Sequence, residues 1–509
     1  MARSTQHGPE GTQHNAPGTQ HSAPGTRAPW FAWIHLYDPH EPYDPPEPFR
    51  SRYAGDLYAG EIAYADATLG DFFGRLRADG ALARTLVVLL SDHGESLGEH
   101  GERTHGLFAY DATLRVPLVM WAPGQIAPGV FDGAVRIADV APTILDVLGA
   151  PPMSPADGRS VRPFVAAERT FEDDGSYFEA LNANLTRRWA PLRGIVRNHR
   201  KLIDLPIPEL YDLDADPAEA TNLYARQRNR AADLERQLDA IVKRAASLTT
   251  TPLDPDAEAR LRALGYVAAA VTSDQKQYSA ADDPKRLVHL NAALDDAADA
   301  WARGAREQAT ATLQAAIKER PDLTIAYERL AFMLRASGRV GEALAIVEGA
   351  ARQGFADARL LRQLGSLLRE SGNVQRSLSV LEELARAEPS DLQTADALGQ
   401  TYTRANRWRD AEAQFKRVIA ASPNAATTWN NLGALYLTTH RVNDAVDAFS
   451  RAIAIDPALA GAHNGLGVAY AQQGRMDRAV EEWRKAVELR PGYADALSNL
   501  ERMGAGIRD

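Results

Sequence analysis

The feature that most constrains the fold of this chain is a 34-residue period in its second half. Pro389, Pro423, Pro457 and Pro491 follow one another at this spacing, and Pro321 lies two periods before Pro389. The units aligned on these prolines repeat the same residue types, including Trp429, Leu432, Gly433, Tyr436, Ala445 and Phe449 in one unit and His463, Leu466, Gly467, Tyr470, Ala479 and Trp483 in the next. Such a period is typical of helix pairs that stack and bury a shared core.

This pattern resembles the tetratricopeptide repeat, which has two antiparallel helices per unit. Weaker copies extend back to about Leu290, which predicts about six repeats over 290–509 with a polar capping helix at Ala494 to Met503. We expect Gly433 and Ala445 to be small because the two helices cross closely there, and the aromatic residues to fill the space between repeats. The second half is therefore predicted to be an all-α solenoid.

A repeat array of this kind predicts a concave groove lined by first-helix residues, including Gln400, Asn430 and Asn464. These amides suit hydrogen bonds to an extended peptide backbone, so the prediction is a protein or peptide partner. The alternative is that the groove only supports the neighbouring domain.

The first half has the pattern of an α/β region over 29–245. An aromatic run, WFAWIHLY at Trp30 to Tyr37, predicts a buried strand. Further predicted elements are a helix at Ile62 to Leu76, a buried strand at Thr85 to Leu90, a strand at Val116 to Trp121, a helix at Val140 to Leu148 and a late hairpin-like pair, GIVRNHRKLID then ELYDL. The strand at Thr85 to Leu90 is apolar throughout, as in parallel sheets covered on both faces. A Thr-, Pro-, Asp- and Ala-rich stretch predicts a linker over 246–289.

Composition excludes several classes of function. With 57 basic and 67 acidic side chains the formal net charge is −10, which gives no electrostatic reason to expect nucleic-acid binding. The chain has no cysteine, which excludes disulfides, thiolate–zinc sites and a cysteine nucleophile.

Residues 1–28 contain three tandem copies of a TQHxxPG-like unit, which predict a disordered tail. No apolar segment reaches the length of a signal peptide core or a membrane span, and the residues assign no compartment.

Polar residues follow the predicted strands in the segment 35–105, where five of the twelve histidines occur. Asp92 and His93 come directly after TLVVLLS, where open α/β sheets place their ligands. Carboxylate and imidazole there are suitable ligands for calcium, magnesium, manganese or zinc. His40 lies in a proline-rich loop and His105 in a glycine-rich segment. The four residues together form a site hypothesis.

Several separate segments resemble the C-terminal half of a sulfatase, a member of the alkaline phosphatase superfamily of metal-dependent hydrolases. They are FAWIHLYDPHEPYDPP, SDHGESLGEHGERTHGLFAYDATLRVPLVMWAPG, DVAPTILDVLG and WAPLRGIVRNHRKLID…ELYDLDADPAEATNL. They follow the family's order over roughly Trp30 to Ala245. The resemblance implies an α/β sulfatase-like partial domain followed by the repeats, and a sulfate ester as substrate.

The resemblance also implies roles for single residues. Asp92 and His93 occupy the place of two ligands of the active-site metal, which is calcium in the first instance, with manganese, magnesium or zinc as alternatives. His40 matches a histidine that donates a hydrogen bond to the sulfate or the leaving-group oxygen. His105 falls near a lysine that binds the sulfate. Glu95, Glu99, His100 and Glu102 are expected to form a solvated loop.

The nucleophile of the family, an oxidised Cys or a Ser in a C/S-x-P-x-R motif, has no convincing counterpart in this sequence. We therefore expect a truncated and inactive enzyme whose edge at Trp30 to Tyr37 is exposed. Two alternatives remain: a non-catalytic repeat scaffold that binds proteins, and a phosphate or phosphonate ester hydrolase of the same superfamily.

Overall fold

A computed structural model describes residues 29–165, 172–246 and 277–504, and these residues form two compact units. The first, here the α/β unit, contains the described residues of 1–183, 189–246 and 278–288. The second, here the repeat unit, contains those of 184–188, 247–277 and 289–509. The predicted tail at 1–28 and most of the predicted linker lie outside the described residues.

The first half of the chain alternates short helices and strands. Its helices are α1 (Phe49–Arg52), α2 (Leu57–Ala78), α3 (Asp111–Leu114), α4 (Ile137–Val147), α5 (Arg162–Val165), α6 (Asn182–Arg187) and α7 (Arg228–Ala246). Its strands are β1 (Val87–Leu90), β2 (Leu118–Trp121), β3 (Ser176–Ala180), β4 (Leu192–Arg197), β5 (Arg200–Asp204) and β6 (Glu209–Asp212). The predicted helices and the late hairpin are confirmed, with bounds that differ by a few residues.

The core of the α/β unit is an antiparallel sheet in the order β3-β4-β5-β6. Asn198 and His199 join β4 to β5 and both have positive φ, as a two-residue hairpin turn requires. One face of the sheet packs on α7 through a buried cluster: Ile195, Leu202, Leu210, Ala231, Leu234 and Leu238. The sheet and α7 therefore form a packed core in the α/β unit.

Two predictions for the first strands are wrong. β1 is half-buried and pairs antiparallel with β2, Val87 opposite Trp121, rather than in a parallel sheet. Trp30 to Tyr37 forms no strand and is exposed, with Phe31 83% and Trp33 81% accessible. The exposure expected for Trp30 to Tyr37 is thus observed, whereas the buried strand is not.

The repeat unit consists of helix pairs, as the period predicts. Its helices are α8 (Pro284–Ala302), α9 (Arg306–Glu319), α10 (Thr324–Ala336), α11 (Val340–Arg352), α12 (Ala358–Glu370), α13 (Val374–Ala387), α14 (Leu392–Arg404), α15 (Trp408–Ala421), α16 (Ala426–Thr438), α17 (Val442–Ile455), α18 (Ala460–Gln472), α19 (Met476–Leu489) and α20 (Ala494–Arg502). Within 277–504 they make six pairs followed by a capping helix. The first begins at Pro284, six residues before the predicted boundary at 290.

In the last four pairs, the second helix places an aromatic or leucine side chain against a glycine of the first helix. A Cβ on Gly433 would lie 2.8 Å from the Phe449 ring, and one on Gly465 of the following repeat would lie 2.4 Å from it. Phe449 is 1% exposed. The ring therefore fills the space within its own repeat and between that repeat and the next, as predicted.

Candidate active site

His40 lies in the loop that precedes α2 and is held from that helix. Asp56 caps the helix, its side chain accepting from the Ala59 N–H at 3.0 Å. One turn on, Glu61 is 3% exposed and accepts from two loop N–H groups, that of His40 at 2.9 Å and that of Asp44 at 2.6 Å. The loop backbone around His40 is thus fixed by one buried carboxylate.

The His40 ring has a defined tautomer. Its Nδ1 lies 2.6 Å from the Glu41 carbonyl oxygen, so Nδ1 carries the proton and Nε2 is free to accept or, in the cation, to donate. The ring stacks on Tyr37 with centroids 4.4 Å apart.

Asp92 and His93 follow β1 after a single serine. The His93 Nδ1 donates to the Gly94 carbonyl at 2.9 Å, which leaves the Nε2 lone pair outward. This Nε2 lies 3.8 Å from Asp92 Oδ2, and the two side chains are 41% and 59% exposed. Both potential ligand atoms are accessible and point to a common space.

His105 is the centre of the site. Its ring centroid lies 4.1 Å from that of His93 and 5.4 Å from that of His40. Its Nδ1 lies 3.1 Å from Oε1 of Glu95, whose side chain is 5% exposed. This hydrogen bond raises the pKa of His105, while burial opposes it. The structure therefore brings together three histidines from two segments, His40 from its loop and His93 and His105 from the loop after β1, and the Glu95 carboxylate favours the protonated form of the central one.

Sequence reasoning placed Glu95 and Glu102 in a solvated loop, and this is wrong for both. Glu102 is 3% exposed and accepts from the N–H groups of Leu107 at 2.5 Å and Phe108 at 3.1 Å. Burial raises its pKa to about 7. Glu99 and His100 are exposed, as predicted. The two buried acids hold the His105 ring and the backbone just after it.

Tyrosines from α2 and the His40 loop enclose the Glu95 side of the site. The Tyr43 and Tyr58 rings meet edge to face at 5.4 Å. Burial, with the nearby Glu95 charge second, raises the pKa of both hydroxyls. Neither tyrosine nor Glu61 was singled out from the sequence. The available signal was the three-residue spacing of Tyr58, Glu61 and Tyr64, but Tyr58 and Glu61 precede the helix predicted at Ile62 to Leu76.

The fit of a divalent metal rests on Asp92 and His93. A carboxylate oxygen and an unprotonated imidazole nitrogen 3.8 Å apart suit two positions of one coordination sphere. In the ranges 29–165, 172–246 and 277–504, no group of three or more His, Asp or Glu side chains has metal-site geometry. The described residues thus fit as part of a metal site, and catalytic sites normally take three or more protein ligands.

A second candidate site is a cleft of about 290 Å³ in the repeat unit. First helices of three successive repeats line it, with Phe332 and Arg335 from α10, Arg362 and Gln363 from α12, and Asp396 and Gln400 from α14. Of the predicted groove residues, Gln400 lines the cleft and donates to Asp396 at 2.7 Å.

The other two predicted groove residues lie further along the array. Asn430 Oδ1 lies 3.7 Å from the position of a Cβ on Gly461 of the next repeat. Asn464 Oδ1 accepts from Asn499 of the capping helix at 3.2 Å. Asn464 thus contributes to the packing of the cap.

Comparison with known proteins agrees with both halves of this description. Residues 20–150 match the sulfatase family profile, and residues 98–246 match the C-terminal profile of N-sulphoglucosamine sulphohydrolase. Residues 397–460 and 460–493 match tetratricopeptide profiles. The chain joins a sulfatase-family region to tetratricopeptide repeats. The helix pairs before residue 397 extend the same architecture.

Curated relatives of the sulfatase-family region are sulfatases. Human arylsulfatase K is 30% identical over 202 residues, 36% of each chain. Choline-sulfatase of Rhizobium meliloti is 36% identical over 185 residues, 35% of this chain and 34% of that protein. The chain therefore spans about a third of the length of these relatives.

Among solved structures, a thermophilic tetratricopeptide protein of Thermus thermophilus is 23% identical, with a TM-score of 0.32, over 35% of this chain and 95% of that one.

Among the helices that the structure describes, none combines the length and hydropathy that a bilayer span requires.

Proposed function

We propose that the sulfatase-family region carries the sulfate-binding part of a sulfuric ester hydrolase site. The observation that supports this is the ring contact of His40, His93 and His105 beside Asp92. His40 is far in sequence from the loop that carries Asp92, His93 and His105. Each of the four side chains has a polar atom that can bind a ligand. A cluster of imidazoles with one carboxylate suits an anion held between hydrogen-bond donors and a cation.

The chain's own residues divide the chemistry as follows. His105, paired with the buried Glu95 carboxylate, provides positive charge for a sulfate oxygen. His40, with Nδ1 donating to the Glu41 carbonyl oxygen, presents Nε2, which in the imidazolium form donates to the sulfate or the leaving-group oxygen. Asp92 and His93 are two ligands of a divalent cation, calcium by family relationship, with manganese, magnesium or zinc as alternatives. Such a cation, when bound, neutralises charge on the ester and the attacking group.

Ligand binding tests this proposal without requiring turnover. We expect phenyl sulfate to bind in the presence of calcium, and His105→Ala to weaken binding about tenfold, the effect of losing one charge-assisted hydrogen bond of roughly 1.4 kcal/mol. The measurement is isothermal titration calorimetry. His199→Ala is the matched control, because His199 also pairs with a carboxylate, Asp214 at 2.6 Å, but on an exposed turn.

Equal affinity of the two variants for phenyl sulfate would contradict the proposal. Stronger binding of phenyl phosphate than phenyl sulfate would instead favour the phosphate or phosphonate ester hydrolase of the same superfamily.

The second candidate function is protein binding by the repeats, and the cleft at α10, α12 and α14 favours it. Phe332 is 55% exposed there, while amide and charged groups of Gln363, Gln400 and Arg335 surround it. This combination suits an extended peptide with one apolar side chain.

If the cleft is the binding site, Phe332→Ala together with Gln400→Ala abolishes capture of peptides from a displayed library, whereas Asn430→Ala has a smaller effect. Unchanged capture by the double variant would leave the repeats with the role of a scaffold.

A further inference from the structure

We propose that Glu61 is a positioning residue that places the His40 ring against His105. This deepens the proposed function, since it rests on His40 acting at the sulfate site. Glu61 lies on α2, far in sequence from His105, and it contacts His40 through the backbone N–H of that residue rather than through the ring assigned to the substrate. Its action is on the backbone of the loop that carries His40.

The contacts of Glu61 are unusual for a buried acid. It is 3% exposed, and its Oε2 and Oε1 accept from the N–H groups of His40 and Asp44, respectively. In the described part of the chain, no Lys or Arg lies within ion-pair distance of it. Short hydrogen bonds from N–H groups to an ionised carboxylate are about twice as strong as neutral ones, and they offset the cost of burying the charge. The buried Glu61 carboxylate is therefore stabilised by the two loop N–H groups, and the loop backbone is held in place by the carboxylate.

The proline-rich composition of this loop explains why an acceptor outside it, the Glu61 carboxylate, fixes its backbone. Its sequence, DPHEPYDPPEP, contains five prolines, and proline has no N–H to donate. The loop thus has few donors with which to form its own turns or ladders. Two of the remaining donors go to one carboxylate, which ties positions 40 and 44 to the same point on a helix.

The hydrogen bond that Glu61 accepts acts directly on the position of the His40 ring. The tethered N–H belongs to His40 itself, so a shift of the tether moves the origin of the side chain. The ring is then fixed by stacking on Tyr37 and by its edge contact with His105 at 5.4 Å. A residue that only stabilised the fold would leave the contact of the two imidazoles unchanged when replaced by a folded variant.

Glu61→Gln tests the proposal in the full 509-residue chain. Glutamine keeps the length and one acceptor oxygen, but its NH₂ group faces a backbone N–H, so one of the two bonds is lost. Asp66→Asn is the matched control, because Asp66 is exposed on the same helix and loses the same charge. The readout is the ring carbon and nitrogen chemical shifts in histidine-labelled protein, together with phenyl sulfate affinity.

We expect Glu61→Gln to shift the His40 and His105 ring resonances and to weaken phenyl sulfate binding about tenfold, while Asp66→Asn changes neither. Resonances of both rings that stay unchanged in Glu61→Gln would overturn the proposal. If Glu61→Gln does not fold, Glu61→Asp serves in its place, since the shorter acid keeps its charge but cannot reach both N–H groups. Shifted rings in a protein whose wild type binds no phenyl sulfate would support the positioning role and refute the proposed function alone.

Discussion

Glu102 shows at the scale of one residue how burial couples protonation to stability. Burial raises its pKa to about 7, against an ordinary value of 4.5. Between these values the folded protein holds a proton that the unfolded chain has released. The stabilising contribution is therefore complete below pH 4.5 and is lost as the pH rises through about 7.

We expect the free energy of local unfolding around Glu102 to fall by up to about 3 kcal/mol across this pH window. Glu102→Gln should abolish this dependence, because the amide is neutral at every pH. Its single carbonyl oxygen accepts from only one of the Leu107 and Phe108 N–H groups, so the variant loses one hydrogen bond at every pH. Hydrogen–deuterium exchange of peptides covering residues 102–114, at about pH 5 and about pH 8, measures it. The same slope in wild type and variant would show that another group titrates.

The residue scale also shows what sequence could and could not predict about the site. Asp92 and His93 follow a predicted strand, His40 lies in a proline-rich loop and His105 in the glycine-rich segment, and the structure brings the four residues together. Glu95 and Glu102 were misassigned because a charged residue in a glycine-rich loop is solvated unless donors surround it. Glu102 accepts from backbone N–H groups and Glu95 from the His105 ring. These donors take their places only in the folded loop, so the sequence pattern does not contain them.

At the scale of elements, the glycine–aromatic contact decides how closely a helix pair packs. A Cβ on Gly433 would lie within 2.9 Å of three atoms of the Phe449 ring, each of which would have to move. Gly433→Ala should therefore destabilise the repeat unit by about 1–3 kcal/mol. Urea unfolding followed by helical circular dichroism measures this change.

Gly349→Ala is the control for this substitution. Gly349 also lies inside a helix, but nothing lies within 4 Å of the position of its Cβ. Alanine there should stabilise by about 0.5–1 kcal/mol through helix propensity alone. A loss of stability in Gly349→Ala as large as that in Gly433→Ala would mean that the packing explanation is wrong.

Elements were predicted well where the deciding contacts are local in sequence. The repeats succeed because Gly433 and Phe449 meet within one 34-residue unit, so the period records the contact. The strands at Thr85 to Leu90 and Trp30 to Tyr37 fail because an apolar run indicates that a strand needs cover but does not specify the neighbour. β1 pairs with β2 as an antiparallel partner, and Trp30 to Tyr37 has no strand partner among the described residues.

At the scale of the whole molecule, the sulfatase-family region brings together the proposed binding groups, and its sequence contains no recognisable family nucleophile. The 509 residues contain no cysteine, and the proposed metal site has two protein ligands, Asp92 and His93. Loss of a nucleophile costs on the order of a millionfold in rate in a serine protease. We therefore expect these 509 residues to hydrolyse neither aryl sulfate nor aryl phosphate above background with calcium, manganese or zinc added. Turnover in a chromogenic assay that disappears in Asp92→Ala would contradict this expectation.

The ring of Phe449, shared by Gly433 and Gly465, has a consequence for how the repeat unit responds to damage. A side chain that belongs to two repeats couples their stabilities, so the array behaves as a one-dimensional chain with strong nearest-neighbour terms. A lesion in one repeat then weakens both of its neighbours. At the C-terminal end this coupling does not stop at an open surface, because Leu500 of α20 packs on Trp483. The last helix, nine residues long, is therefore coupled in stability to the repeat before it.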